Sequence, residues 1–271
     1  MTTTRRDPTQ GEGHVLGVIP ARLASTRFPG KVLAPLAGRP LVQHAYERLS
    51  RAAQVHDVLV ATDSPEVEEA VRLFGGQVVR VDEACPTGSD RTAAAVRGRA
   101  ADIVVNLQAD QPCIDPRDVD SAVLALKRDP GLDLTTLAFL SSERVGFDSP
   151  DVVKVVADRC GRALYFSRAG IPAGRCATGK VLFLHHVGIY CFRRAALERF
   201  ASLPESDLER RESLEQLRAV ENGMAVGVVV SARASVSVDR ERDVAAAEEA
   251  LGRQQEGPDQ ADRRRGGRGL P

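Results

Sequence analysis

The chain has 271 residues, of which 43% are hydrophobic and 27% are charged, and its 37 basic side chains are balanced by 37 acidic ones. This length can bury the core of a large domain, and zero net charge excludes a global field that draws proteins to nucleic acid or anionic membranes. The five cysteines form no C-x-x-C pair, and no apolar run reaches the roughly 20 residues that cross a bilayer, so we expect a cytoplasmic protein with reduced thiols.

Both ends of the chain are polar and differ in composition from the rest. Residues 1–13 and the Arg/Gly-rich residues 253–271 have little apolar surface to bury, which predicts disorder in both segments. Between them, residues 14–252 are predicted to form a single domain, with a possible dimerisation lobe over about 134–200.

In the first half, short apolar runs alternate with helical patterns. Strands are predicted at 15–19, 58–61, 77–81 and 103–107. Helices are predicted at 41–52, 65–74, 90–99 and 116–128, the last of them beginning at Asp115. This alternation predicts an α/β fold with a mostly parallel (mixed) central sheet and helices on both faces. Ligands then gather at the carboxyl ends of the strands.

The second half is less regular. Strands are predicted at 134–140, 152–156, 163–166, 187–192, 226–230 and 235–238, with helices near 193–201, 211–221 and 242–251. We expect antiparallel strands here that extend the same sheet.

The loop after the first strand concentrates positive charge. Arg22, Arg27 and Lys31 lie within ten residues, together with Ser25 and Gly30. Such cations can surround phosphate oxygens, and small residues let backbone N–H groups approach an anion. The loop is neither a Walker P-loop nor a G-x-G-x-x-G turn. By itself, such a loop is more often a solvated surface than a phosphate site.

Two aspartates follow predicted strands. Asp110 and Asp239 would suit a hard Mg²⁺ ion that shares its coordination with phosphates and water, although a lone Asp in this position is often only a helix cap. Spacing does not show whether the two converge. The neighbouring pair His185–His186 resembles a zinc pair, but adjacent strand residues point to opposite faces, which argues against zinc.

Several segments in order resemble the 3-deoxy-manno-octulosonate (Kdo) cytidylyltransferase family. They are VIPARLASTRFPGK (18–31), VATD (60–63), TGSDR (87–91), QADQP (108–112), ALYFSRAGIP (163–172), HVGIY (186–190) and ESLEQLR (212–218). The resemblance implies the Rossmann-like nucleotide-diphospho-sugar transferase fold, a homodimer, and transfer of CMP from CTP to an acidic sugar with loss of pyrophosphate. With Kdo as acceptor, the product would serve lipopolysaccharide synthesis.

The resemblance also implies residue roles. The CTP site comprises Ala21, Arg22, Ser25, Arg27 and Lys31, and the catalytic residues are Arg22, Lys31 and Asp110. Asp110 and Asp239 would hold Mg²⁺. The acid-sugar site comprises Arg91, Gln108, His186, Tyr190, Glu215 and Gln216.

The chain departs from the family pattern at a few positions. Ala109 and Gln111 replace Gly and Glu in the metal loop, Arg240–Glu241 replace Thr-Pro after Asp239, and Gly170 replaces Pro. Three alternatives to a Kdo-specific enzyme therefore stay open: an acylneuraminate acceptor, a phosphonate acceptor, and a non-catalytic paralogue that binds CTP or sugar.

Overall fold

The computed structural model of the protein describes residues 13–25, 28–173 and 181–255. The strands are β1 (Val15–Pro20), β2 (Pro35–Leu36), β3 (Arg39–Pro40), β4 (Asp57–Thr62), β5 (Val78–Arg80), β6 (Ile103–Leu107), β7 (Leu134–Ser141), β8 (Lys154–Ala157), β9 (Ala163–Ser167), β10 (Phe183–Arg193) and β11 (Val226–Ser231). The α-helices are α1 (Leu41–Ser50), α2 (Pro65–Leu73), α3 (Gly88–Ala95), α4 (Pro116–Arg128), α5 (Arg144–Asp148), α6 (Arg194–Ser202), α7 (Asp207–Glu212), α8 (Gln216–Glu221) and α9 (Val244–Gln255). Short 3₁₀ turns span Lys31–Leu33 and Glu241–Asp243.

The main sheet has the strand order β11-β7-β10-β6-β1-β4-β5. Strand β1 pairs in parallel with β4 and β6, and β11 pairs in parallel with β7. Strand β10 is antiparallel to both β6 and β7, and β8 and β9 extend the sheet beside it. The predicted mixed, mostly parallel sheet is therefore confirmed. Because β1 lies between β4 and β6, the loops that follow these three strands meet at one edge.

Helices cover both faces of this sheet, as predicted. Apolar side chains of α1, α2 and α4, such as Leu49, Val71 and Leu126, form one buried cluster with β1 and β6. Side chains of α3, α6 and α8, such as Ala93, Phe200 and Leu217, form a second cluster on the opposite face. All six residues of β1 are buried, which explains its continuous apolar pattern.

Helix α4 has the predicted bounds because its local signals agree. The Asp115 side chain accepts a hydrogen bond from the Arg117 backbone N–H, and Pro116 occupies the first helical position, where no N–H is needed.

Two elements in the second half differ from the prediction. The strand predicted at 235–238 is irregular: the Val238 N–H donates to the Asp110 carbonyl at 2.9 Å, and this segment belongs to no strand ladder. The helix predicted near 211–221 is two helices, because Ser213 has the left-handed φ of 52° and ends α7. Immediately before this break, the Glu212 carboxylate accepts hydrogen bonds from the Ser167 hydroxyl and the Arg168 N–H on the neighbouring hairpin.

The predicted disorder of residues 253–271 also needs correction at the start of that segment. Residues 253–255 belong to α9 and are not part of a disordered tail. Residues 1–12 and 256–271, the rest of the two segments with predicted disorder, lie outside the described residues. None of the helices in the described ranges is long and apolar enough to cross a bilayer.

Candidate active site

An open cleft of about 490 Å³ lies at the carboxyl ends of the central strands. It is lined by Pro20, Arg22, Ala24, Ser25, Lys31, Val32, Gln108, Ala109 and Asp110. Gly30 has a φ of 68°, a conformation that side chains disfavour, and it begins the 3₁₀ turn that carries Lys31. The basic loop predicted from the sequence is therefore the wall of a cleft and not an isolated surface loop.

Lys31 and Asp110 of this cleft lie together with Asp239, so that one cation and two carboxylates meet at its wall. The Lys31 Nζ lies 2.8 Å from Asp110 Oδ2 and 3.6 Å from Asp239 Oδ1. All three side chains are mostly buried, with exposed fractions of 12%, 25% and 28%. Two carboxylates this close repel each other unless a cation lies between them, so the arrangement favours positive charge at this point.

Tertiary contacts explain how Asp239 reaches Asp110. The backbone bond from Val238 to the Asp110 carbonyl joins the two loops one residue before Asp239. The Val238 side chain is fully buried in a third apolar cluster with Leu36, Leu41 and Cys113. The convergence that spacing did not show is present in the structure.

A smaller chamber of about 90 Å³ adjoins the cleft and shares Pro20, Arg22 and Gln108 with it. Its other lining residues are Cys85, Thr87, Gly88 and Arg91. At Gly88, a Cβ would lie 2.6 Å from Gln108 Nε2, so any other residue here would displace the Gln108 side chain. The buried Arg91 donates to Asp63 Oδ2 at 2.7 Å and to the Val81 carbonyl at 3.2 Å, so its guanidinium is fixed at the chamber wall.

Residues of β7, β10 and α8 form a buried polar cluster. The Tyr190 hydroxyl donates to Gln216 Oε1 at 3.0 Å. The Thr136 hydroxyl donates to the Ile189 carbonyl at 2.7 Å, so the His186 Nε2 donates to that hydroxyl at 2.8 Å. Within the described residues, Gln216 Nε2 is buried and has no hydrogen-bond partner. A buried donor without an acceptor is costly, so a bound ligand or an ordered water is expected to satisfy it.

Burial sets the protonation of this cluster. It lowers the pKa of His186 to about 3, so the imidazole is neutral at physiological pH. Burial also raises the pKa of the Tyr190 hydroxyl well above its usual value, and it raises the pKa of the Glu215 carboxyl. The neutral His186 and Tyr190 are therefore suited to hydrogen bonding with hydroxyl groups and not to proton transfer.

Hydrogen bonds connect the chamber with Glu215, next to Gln216. The Gln108 side chain donates to Asn106 Oδ1 at 3.2 Å, and the Asn106 amide donates to the Ser89 hydroxyl at 3.0 Å. The Ser89 N–H in turn donates to Glu215 Oε2 at 3.1 Å, at the start of α3. Sequence reasoning missed Asn106 and Ser89 as functional residues. An asparagine inside an otherwise apolar strand was the available signal.

The structure thus divides the predicted site residues into groups. Arg22, Ser25, Lys31, Gln108 and Asp110 line one cleft, with Asp239 beside Lys31. The remaining acid-sugar candidates are Arg91 in the adjoining chamber and His186, Tyr190, Glu215 and Gln216 in or next to the buried cluster. Ala21 is fully buried and its N–H donates to the Ala61 carbonyl at 2.8 Å. Arg27 lies outside the described residues.

The departures from the family pattern are accommodated by local contacts. Ala109 is buried in the core, and Gln111 is buried with its Oε1 accepting a hydrogen bond from the Ser235 hydroxyl at 3.4 Å. At Gly170, a Cβ would lie 2.4 Å from the Phe147 ring, so that ring occupies the space of a larger residue. With these residues in place, Asp110 and Asp239 both contact Lys31.

Comparison with known proteins agrees with this geometry. The cytidylyltransferase family model matches residues 16–226. The chain is 45% identical over 241 residues to a 3-deoxy-manno-octulosonate cytidylyltransferase of Geobacter sulfurreducens, covering 85% of this chain and 96% of that protein. It is 43% identical over 231 residues to an 8-amino-3,8-dideoxy-manno-octulosonate cytidylyltransferase of Shewanella woodyi, covering 84% and 94%.

A solved structure of CMP:2-keto-3-deoxy-manno-octonic acid synthetase complexed with CTP superposes with a TM-score of 0.82 at 39% identity. The match covers 89% of this chain and 99% of that one. The sheet and helices described above therefore form the nucleotide-diphospho-sugar transferase fold, and the chain belongs to the 3-deoxy-manno-octulosonate cytidylyltransferase family of nucleotidyltransferases.

Proposed function

We propose that this protein transfers CMP from CTP to the anomeric hydroxyl of Kdo or a close analogue and releases pyrophosphate. The observation that carries the proposal is the meeting of Lys31 with Asp110 and Asp239 in a cleft that adjoins a buried polar cluster. One part of the site suits a triphosphate, and the other suits a polyhydroxylated acid.

The reaction is a direct displacement at phosphorus. The anomeric oxygen forms a bond to the α-phosphorus while the bond from that phosphorus to the pyrophosphate oxygen breaks, and the proton of the anomeric hydroxyl is released to solvent. Arg22 and Lys31 supply positive charge beside the phosphate oxygens, where negative charge develops. Orientation of the two substrates supplies the rest of the rate gain, so no enzyme nucleophile is required.

We propose Mg²⁺ as the cofactor, held by Asp110 and Asp239. Their oxygen donors suit a hard cation that keeps several waters, and the Lys31 ammonium already marks the position between them as favourable for a cation. Among the described residues, no group of three or more His, Cys, Asp or Glu could hold a metal ion without other ligands, which fits an ion shared with a nucleotide. When bound, the ion would neutralise charge on the phosphate oxygens.

The acceptor would bind in the small chamber and against the buried cluster. The fixed Arg91 guanidinium suits the acceptor carboxylate, and Gln108 suits hydroxyl groups. The unpartnered Nε2 of Gln216 provides a donor for an acceptor oxygen. Relatives named for Kdo and for 8-amino-3,8-dideoxy-manno-octulosonate are about equally similar to this chain, so the proposed acceptor carries either a hydroxyl or an amino group at C8. With Kdo, the product would serve lipopolysaccharide synthesis.

We also propose a cytoplasmic homodimer. None of the four described cysteines is in a disulfide, which suits a reducing compartment. Leu140 and Val230 are 57% and 54% exposed. They point to the same face of the sheet, because Val230 pairs with Ala138, two residues before Leu140. Leu182 is 60% exposed next to the start of β10. This apolar patch, defined by Leu140, Leu182 and Val230, supports association with a second copy of the chain.

Pyrophosphate release tests the proposed activity. We expect release from CTP, but not from ATP, GTP or UTP, when Mg²⁺ and freshly prepared Kdo are present, with a panel of other 2-keto-3-deoxy acids, an acylneuraminate and a phosphonate run in parallel. Lys31→Ala should reduce the rate roughly 10²-fold. The matched control Lys127→Ala, at a lysine that donates to Gln54 away from the cleft, should stay within about twofold of wild type.

Two results would contradict the proposal. CTP binding without pyrophosphate release, whatever the acid, would identify a non-catalytic paralogue. Pyrophosphate release with the acylneuraminate or the phosphonate, and not with Kdo, would show that the proposed acceptor is wrong and that the proposed CMP transfer is right.

A further inference from the structure

Asp243 makes an unusual pair of contacts beside the proposed metal site. Its Oδ2 accepts a hydrogen bond from the Asp239 backbone N–H at 3.0 Å and another from the Arg240 N–H at 2.7 Å. The residue ends the 3₁₀ turn that leads into α9. One carboxylate oxygen therefore fixes two consecutive peptide groups, the first of which belongs to Asp239.

We propose that Asp243 is a positioning residue that sets the Asp239 carboxylate against Asp110, an inference that rests on the metal site of the proposed function. On one side, Val238 is held by its bond to the Asp110 carbonyl and by burial of its side chain. On the other side, Asp243 holds Asp239 and Arg240. The backbone of Asp239 is thus fixed immediately before and after its Cα, which restricts where its carboxylate can lie.

Helix α9 supplies the rigid support that this role requires. Its buried residues Ala247 and Leu251 pack in the same apolar cluster as Val238 and Cys113. The Cys113 thiol lies 3.5 Å from the Ala247 carbonyl, and the Gln254 side chain donates to the Cys113 carbonyl at 3.0 Å. Cys113 follows the Asp110 loop directly. The same helix therefore braces both segments that carry the proposed ligands.

The contacts of Asp243 argue for positioning and not for direct coordination. Its Oδ2 is engaged by two N–H donors, and its side chain is 30% exposed. A group that orients a ligand without touching the ion commonly changes metal affinity by 10- to 100-fold when it is removed. A carboxylate that only capped the start of α9 would instead affect folding and leave metal affinity unchanged.

Binding of Mn²⁺ distinguishes these roles. The probe is the enhancement of water proton relaxation by protein-bound Mn²⁺, measured with CTP present and no acid acceptor, so that no turnover occurs. We expect Asp243→Ala to weaken Mn²⁺ binding about 10-fold or more. Asp243→Asn keeps an oxygen acceptor for the two N–H groups and should weaken it by less than about threefold, because only the charge assistance is lost.

The matched control is Glu249→Ala. It also removes a carboxylate from α9, but among the residues that the structure describes that carboxylate bonds only to the exposed Arg253. It should bind Mn²⁺ within about twofold of wild type. Thermal melting of each variant without metal reports whether the fold is retained.

The outcomes separate this inference from the proposed function. Wild-type protein that binds no Mn²⁺ with CTP would overturn both. Binding that is lost in Asp110→Ala but unchanged in Asp243→Ala would keep the metal site and overturn the positioning role. An equal loss in Glu249→Ala and Asp243→Ala would assign the effect to helix stability and also overturn it.

Discussion

Replacing Tyr190 and Gln216 tests whether the buried polar cluster binds a ligand and lowers the stability of the free protein. The Tyr190 hydroxyl donates to Gln216 Oε1, while Gln216 Nε2 is buried without a partner in the described residues. An intramolecular hydrogen bond contributes about 0.5–1.5 kcal/mol, whereas an unpaired buried polar group costs about 1–3 kcal/mol. The free-energy cost of burying the unpartnered Gln216 Nε2 is therefore larger than the stabilisation from the hydrogen bond that Gln216 Oε1 accepts.

The single variant should be less stable than wild type, whereas the double variant should not be. Tyr190→Phe leaves both polar ends of the Gln216 amide without a partner, so we expect a loss of about 1–3 kcal/mol in the free energy of unfolding. Adding Gln216→Met removes both groups and restores an apolar interior. The double variant should be as stable as wild type or more stable by up to about 2 kcal/mol, where each kcal/mol corresponds to roughly 2–4 °C in Tm.

The same double variant should lose function. Its kcat/KM for the acid acceptor should fall roughly 5- to 150-fold, the equivalent of about 1–3 kcal/mol of lost hydrogen bonding, while the KM for CTP stays unchanged. Thermal melts and pyrophosphate-release kinetics on all three variants measure both effects. The reasoning is refuted if the double variant is less stable than Tyr190→Phe, or if it uses the acceptor as well as wild type does.

Three further predictions follow from charge, burial and exposure. In Lys31→Ala, Asp110 and Asp239 lose the cation between them, so added Mg²⁺ should raise the Tm of this variant more than that of wild type. Equal Tm shifts in calorimetry would contradict the idea that Lys31 and Mg²⁺ share one cation site. Burial lowers the pKa of His186 from 6.5 to about 3, so its contribution to stability is complete above pH 6.5 and is lost between pH 6.5 and 3 by about 1.4 kcal/mol per pH unit. Between pH 7 and pH 5, the free energy of unfolding measured with urea should therefore fall less in His186→Gln than in wild type. An equal fall in both proteins would show that the His186 imidazole is protonated in the folded protein at pH 5. Finally, Leu140→Glu should convert the dimer that we propose into a monomer in sedimentation equilibrium, and a variant that stays dimeric would exclude the apolar patch as the interface.

Much of the fold could be predicted because its signals are local. The apolar β1 and the largely apolar β6 indicated strands that are buried on both faces, and helix α4 has the predicted bounds because a capping Asp, a Pro and an apolar stripe agree. The prediction of one helix over 211–221 was wrong, because α7 ends at Glu212 and α8 begins at Gln216. At Glu212, bonds to the β9 hairpin accompany the break between α7 and α8 that helical periodicity did not reveal.

The sequence by itself determined the basic loop, the two candidate aspartates and the family resemblance, since all of these are carried by short runs of residues. It did not determine that Lys31 lies between Asp110 and Asp239, that Asp243 holds the Asp239 backbone, or that the Gln216 amide is buried without a partner. Each of these facts depends on how α9 and the two halves of the sheet pack together. Only the tertiary structure decided them, because contacts between residues far apart in the chain follow from packing and leave no periodic trace in the sequence.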